Sequence, residues 1–146
     1  MKTYNNIIDA LHTFCSNHYQ INTFYSGDTW DFQAKSNIYP AVIVLPQPST
    51  IDKGRINIKF NLFVADLMNK DCTNLDEIYS DTLLIMTDIV SYFRNYEEDG
   101  YAILDDSINI EPFNEKFDDN LGGWMATLTF EIPYVGSTCG LPLAIT

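Results

Sequence analysis

The sequence predicts an α+β fold: a mainly antiparallel sheet with two long hairpins, packed by two helices. Three observations predict it. Trp124, Ala126, Leu128, Phe130, Ile132 and Tyr134 fall on every other position, with Met125, Thr127, Thr129 and Glu131 between them. Such alternation marks a β-strand with one apolar face. Ile56, Ile58, Phe60, Leu62 and Val64 repeat the pattern over Arg55–Leu67. Two further segments, Tyr4–Asn17 and Asn74–Asn95, carry apolar residues at helical spacing. No repeat, low-complexity tract or linker divides the 146 residues, so 1–146 reads as one domain.

The first helix places Ile7, Ile8, Leu11, Phe14 and Cys15 on one stripe, with Thr3 as a weak N-cap. In Ile21–Asn37, Thr23-Phe24-Tyr25 suits a short strand ending in a turn at Ser26-Gly27-Asp28. Trp30 and Phe32 then belong to a short strand or an extended arm. Ala41–Leu45, an apolar run between Pro40 and Pro46, reads as a strand buried on both faces. A long polar loop is expected from Pro46 to Gly54, before the strand Arg55–Leu67.

The second helix opens on Asn74 and Glu77, the spacing of a capping box, and Asp76, Glu77 and Asp81 suit its positive end. Ile78, Ile85, Met86, Ile89, Val90 and Phe93 form its apolar stripe. Tyr101–Leu104 suits a short strand. The closing hairpin runs over Ser107–Val135, its acidic tip at Asp118–Gly123. Leu141–Ile145 is apolar again, as expected of an end that docks on its own subunit or a neighbour.

Twenty acidic residues stand against eight basic ones, a net charge of −12. Tight nucleic-acid binding needs Lys and Arg to displace counterions from phosphates, and this chain has few. A negative surface also disfavours anionic membranes. No run is apolar and long enough for a membrane span or a signal peptide, so the protein is expected to stay where it is made. Cys15, Cys72 and Cys139 are odd in number and lack Cys-x-x-Cys spacing, which suits reduced thiols.

Chemistry-bearing patterns are sparse. His12, Cys15 and His18 lie three apart, and each step of three turns about 60° short of a full helical circle, so the outer two do not share one metal-facing side. Asp118-Asp119-Asn120 lacks the every-second-residue spacing of a calcium loop. Neither a Gly-x-Ser-x-Gly elbow nor a phosphate-binding glycine loop occurs. The expectation is a protein that is not an enzyme, with no catalytic residues, no metal site and no cofactor.

A set of residues nevertheless recurs together: Ile38-Tyr39-Pro40-Ala41, Val64-Ala65-Asp66, Asn74-x-x-Glu77, a late Cys139 near Pro142, and the run Glu111-Pro112-Phe113-x-Glu115-x-Phe117-x-x-Asn120-Leu121-x-Gly123-Trp124. This pattern resembles tail terminator or tail completion proteins of tailed bacteriophages, notably crAss-like phages of Bacteroidota. The resemblance covers nearly the whole chain, and its Pro-Phe-to-Trp run is the most specific part. It implies a virion protein of the head–tail connector or tail. Such proteins form six- or twelve-fold homo-oligomeric rings around the DNA channel, between portal-proximal and tail-proximal partners, and DNA passes without specific binding. It also implies a tail terminator-like α+β fold without catalytic residues.

A ring needs one patch on each subunit to meet a different patch on the next. Trp30, Phe32, Tyr39, Leu141, Leu143 and Ile145 are the candidates for that interface. Asp52 and Lys53 in the expected Gln47–Lys53 loop, with Glu115, Asp118 and Asp119 at the acidic tip, are candidates for channel or loop contacts. The rival is a small acidic adaptor or DNA-mimic module. A mimic concentrates its acids on one continuous face, whereas these fall mainly at predicted turns.

Overall fold

A computed structural model describes residues 3–27, 38–69, 71, 73–94, 102–103, 107–116, 121–133 and 141–144, with backbone alone at 102, 115 and 116. In chain order the elements are α1 (Tyr4–Asn17), β1 (Thr23–Ser26), β2 (Ala41–Asp52), β3 (Arg55–Leu67), α2 (Leu75–Arg94), β4 (Ala102–Ile103), β5 (Ile110–Lys116) and β6 (Leu121–Pro133). The sheet runs β1-β2-β3-β6, and β6 carries both β5 and β4 on its far side. Every pairing is antiparallel except β1 on β2. The α+β class and the two long hairpins are as expected.

Strand alternation sorts the core into two layers. Even-numbered positions, among them Val42, Phe60, Leu62, Leu128 and Phe130, meet both helices in the main core. Ile7, Leu11 and Cys15 come from α1, and Ile85, Met86, Ile89 and Phe93 from α2. Odd-numbered positions face the other way, where Ala41, Ile43, Phe63, Ala65 and Leu121 form a second buried cluster. The continuous apolar run of β2 is thereby accounted for: Val42 and Val44 serve one layer, Ala41 and Ile43 the other.

The expected loop after Pro46 is not a loop. β2 continues to Asp52, and only Lys53 and Gly54 lie between the paired residues Asp52 and Arg55. The reason lies in where the prolines point. β1 flanks β2 only as far as Val44, so the outer edge is open from Leu45 onward. The Val44 carbonyl accepts from the Gly27 N–H on that outer side. Pro46 stands two residues on and faces the same way, so its missing N–H costs no ladder bond. A bulge follows between Gln47 and Thr50. There the Ser49 hydroxyl oxygen accepts from the Lys59 N–H at 3.0 Å and donates to the Gln47 carbonyl at 3.0 Å.

The capping box is also corrected. Asn74 does sit at the start of α2, its carbonyl accepting from the Ile78 N–H at 3.0 Å. Its side chain, however, turns back to the preceding turn. Oδ1 accepts from the Asn69 N–H at 2.8 Å, and Nδ2 donates to the Leu67 carbonyl at 3.3 Å. Asn74 therefore ties the end of β3 to the helix, while Asp76 and Glu77 occupy the first turn.

The described ends of the Glu111–Trp124 run form a structural joint. Pro112 pairs with Trp124, and Phe113 with Gly123. Trp124 Nε1 donates to the Tyr79 carbonyl of α2 at 2.8 Å, and the two rings sit 5.6 Å apart. The Tyr79 hydroxyl donates to the Phe113 carbonyl at 3.5 Å. Trp124 is half-buried against the main core, where alternation alone suggested a fully buried position. Gly123, at φ +155°, lets β6 close on β3: a Cβ there would stand 1.9 Å from the Val64 carbonyl oxygen.

Candidate functional site

Of the sequence-derived interface residues, Tyr39, Leu141 and Leu143 are among the described ones. Tyr39 is half-buried against the second cluster of its own subunit. Its carbonyl accepts from Asn22 Nδ2 at 2.8 Å, which pins the segment before β2 to the segment before β1. Leu141 and Leu143 are 49% and 59% exposed. The Leu143 N–H donates to the Leu141 carbonyl at 2.8 Å, closing a three-residue turn on Pro142. Trp30, Phe32 and Ile145 lie outside the described residues, as do Asp118 and Asp119 and the side chain of Glu115.

Asp52 and Lys53 meet at the β2–β3 tip, on a hairpin rather than the expected loop. Every residue from 48 to 55 is exposed. Asp52 Oδ2 accepts from Asn57 Nδ2 at 3.4 Å and lies 3.8 Å from Arg55, which also stands 4.0 Å from Glu131. These are solvated pairs and contribute little to stability. Ile51, 71% exposed beside them, escaped the sequence reading. The signal was present, since Ile51 stands between Thr50 and Asp52 in a stretch with no apolar neighbour.

His12, Cys15 and His18, in and just after α1, have different partners. His12 stacks on Phe24 with centroids 5.1 Å apart. Cys15 is in the core, where burial pushes its thiol up to about 12. His18 Nδ1 accepts from the Gln20 N–H at 3.2 Å. Its proton is therefore on Nε2, which donates to Asp88 Oδ2 at 2.9 Å and links α1 to α2. No group of three His, Cys, Asp or Glu that could hold a metal occurs among the described residues. The proton affinity of Asp66 is raised: burial does so most, the Leu67 N–H opposes it, and Asp81 adds to it.

Two open clefts flank the segment leading into β5. One, of about 410 Å³, lies between α2 and residues 107–110, with Leu83, Met86, Val90, Ile108 and Ile110 among its walls. The other, of about 300 Å³, is polar and holds Lys59, Glu111, Thr127 and Thr129. Lys59 and Glu111 make no ion pair with each other or with any other described residue. The apolar cleft was not foreseen, because its two walls are 13 or more residues apart in sequence and nothing in either wall alone marks it.

No described helix is long and apolar enough to cross a membrane. No family model matches the chain, and no curated protein matches it.

Proposed function

We propose that this protein is a ring-forming subunit of the head–tail connector or tail of a tailed bacteriophage. In that role it joins portal-proximal to tail-proximal components around the DNA channel, and the virion is where it resides. It acts by association with copies of itself and with neighbouring connector, portal or tail proteins, and it catalyses nothing.

The observation that carries the reading is that exposed apolar side chains stand on several separate parts of the fold. Among them are Ile51 on the β2–β3 tip, Leu84 on α2 and the Leu141–Leu143 turn. A ring contact is heterologous and uses two different patches on each subunit, so apolar features on two different elements suit it. The net charge of −12 suits a channel wall, since it repels phosphates and lets DNA slide. The residues of the phage resemblance support the reading in a further way. Pro112, Phe113, Gly123 and Trp124 join β5, β6, β3 and α2, so they are residues on which this fold depends.

Native mass spectrometry of the purified protein tests the proposal. Six or twelve copies of the 16.7 kDa chain give one species of about 100 or about 200 kDa. A monomer at every concentration, up to the highest attainable, would count against a subunit that closes a ring by itself.

A further inference from the structure

We infer that the polar cleft on the sheet face away from the helices binds an oxyanion, the phosphate or carboxylate group of a small molecule, on Lys59 and Thr129. The inference does not depend on the ring reading. The two residues stand directly opposite each other on β3 and β6. That pairing sets their Cβ atoms about 5 Å apart. Both line the cleft of about 300 Å³. The β3–β6 and β5–β6 ladders fix how its walls lie relative to one another.

The cleft holds hydrogen-bond donors that no described residue uses. Thr129 is 8% exposed, and its hydroxyl makes no hydrogen bond with a described residue. Buried hydroxyls are normally bonded, so its partner comes from the cleft, as water or as a ligand oxygen. Lys59 is exposed and ion-pairs with no described residue, in a chain where acids outnumber bases 20 to 8. The Ser107 hydroxyl and the Asn109 amide, on the segment entering β5, line the same cleft and are likewise unpartnered among the described residues. Thr127 differs, because its hydroxyl donates to Asn61 Oδ1 at 2.9 Å.

An ammonium beside neutral donors suits an oxyanion, since every bond to the anion is then charge-assisted. The net charge of −12 does not forbid this, because salt screens exposed charges beyond about 8 Å. The described acid in the cleft is Glu111, which pairs with Met125. By strand spacing its backbone lies two strands, about 10 Å, across and four residues, about 13 Å, along from that of Lys59. That end of the cleft suits a donor on the same ligand, an amine or a hydroxyl.

Titration of the full-length, ¹⁵N-labelled protein with inorganic phosphate and, separately, with acetate tests the inference, at constant pH and ionic strength. A saturable shift of the Lys59, Thr129 and Asn109 amide signals with either anion is the expected result. Saturation with phosphate alone assigns a phosphate group, and with acetate alone a carboxylate. Lys59→Met keeps the aliphatic stem and is expected to weaken binding by at least about tenfold, and Thr129→Val by about threefold. Lys53→Met is expected to leave binding unchanged, since Lys53 is exposed on the same hairpin and also lacks an ion pair with a described residue, yet does not line the cleft. Should Thr129→Val not fold, the two lysine variants decide. No saturable shift with either anion, or equal losses from Lys59→Met and Lys53→Met, would overturn the inference.

Discussion

Replacing Gly123 by alanine is expected to destabilise the protein far more than the same change at Gly54, and the contrast isolates the close approach of β6 to β3. Both glycines have positive φ, +155° and +93°. Both changes therefore carry the backbone cost of an L-residue in that region, about 1–2 kcal/mol. Both also stiffen the unfolded chain to a similar extent, and that effect cancels between them. Only the surroundings differ. At Gly54 no atom lies within 4 Å of the added Cβ. At Gly123 the Val64 carbonyl oxygen stands at 1.9 Å and the Ala65 Cα at 3.2 Å. Both are backbone atoms of β3, paired along the full length of β6, so they cannot swing away as a side chain would. Overpacking of this kind adds roughly 1–3 kcal/mol. Gly123→Ala should therefore cost about 2–5 kcal/mol, which lowers the melting temperature by roughly 10 °C in a chain of this size. Thermal and urea melts of the two variants beside the parent measure it. Equal losses at the two positions would refute the reasoning, because β3 and β6 would then have room for a methyl group.

Three further changes have defined outcomes. Trp124→Phe removes the donor to the Tyr79 carbonyl and leaves the ring's apolar bulk largely in place, so a urea melt should show a loss of about 1 kcal/mol; Trp124→Ala should lose about 3 or more. The Cys15 thiol, raised from about 9 to about 12 in the folded protein, holds its proton where the unfolded chain has lost it. Its contribution to stability is complete below pH 9 and is lost as pH rises toward 12, by up to about 1.4 kcal/mol per pH unit. The stabilities of the parent and Cys15→Ala should then converge between pH 8 and 10.5, and parallel curves would contradict the assignment. Asp66 is raised chiefly by burial, so its ionised form is disfavoured in the folded state at neutral pH. Asp66→Asn keeps an oxygen for the Leu67 N–H, which the carboxylate now accepts at 2.8 Å. It should stabilise the protein at pH 7, with the gain shrinking as pH falls into the carboxylate range.

Periodicity carried the parts of the fold that periodicity can encode. The α1 bounds, the stripe of α2 and the inward residues of β3 and β6 all follow from spacings of 3.6 and 2. Pro46 and Pro48 misled because a proline stops a strand only if its N–H was needed. Whether it is needed depends on which neighbour flanks that edge, and this is a tertiary fact. Asn74 misled for a similar reason. An Asn at a helix start can accept from the helix or from the turn behind it, and the nearby Asn69 N–H decided between them. Thr82 was passed over as a polar residue, yet it is fully buried because its hydroxyl donates to the Ile78 carbonyl one turn back. Of the candidate interface, the exposure of Leu141 and Leu143 was legible as an apolar end on an acidic chain. The cleft was not, since it exists only where α2 packs beside the entry to β5.

The central claim is that this protein is built into a phage particle. Immunoblotting of density-purified particles from a lysate of the source, with the soluble fraction beside them, tests it most directly. The account predicts that the protein bands with the particles, at a copy number far below that of the capsid subunit. Recovery in the soluble fraction alone would contradict it.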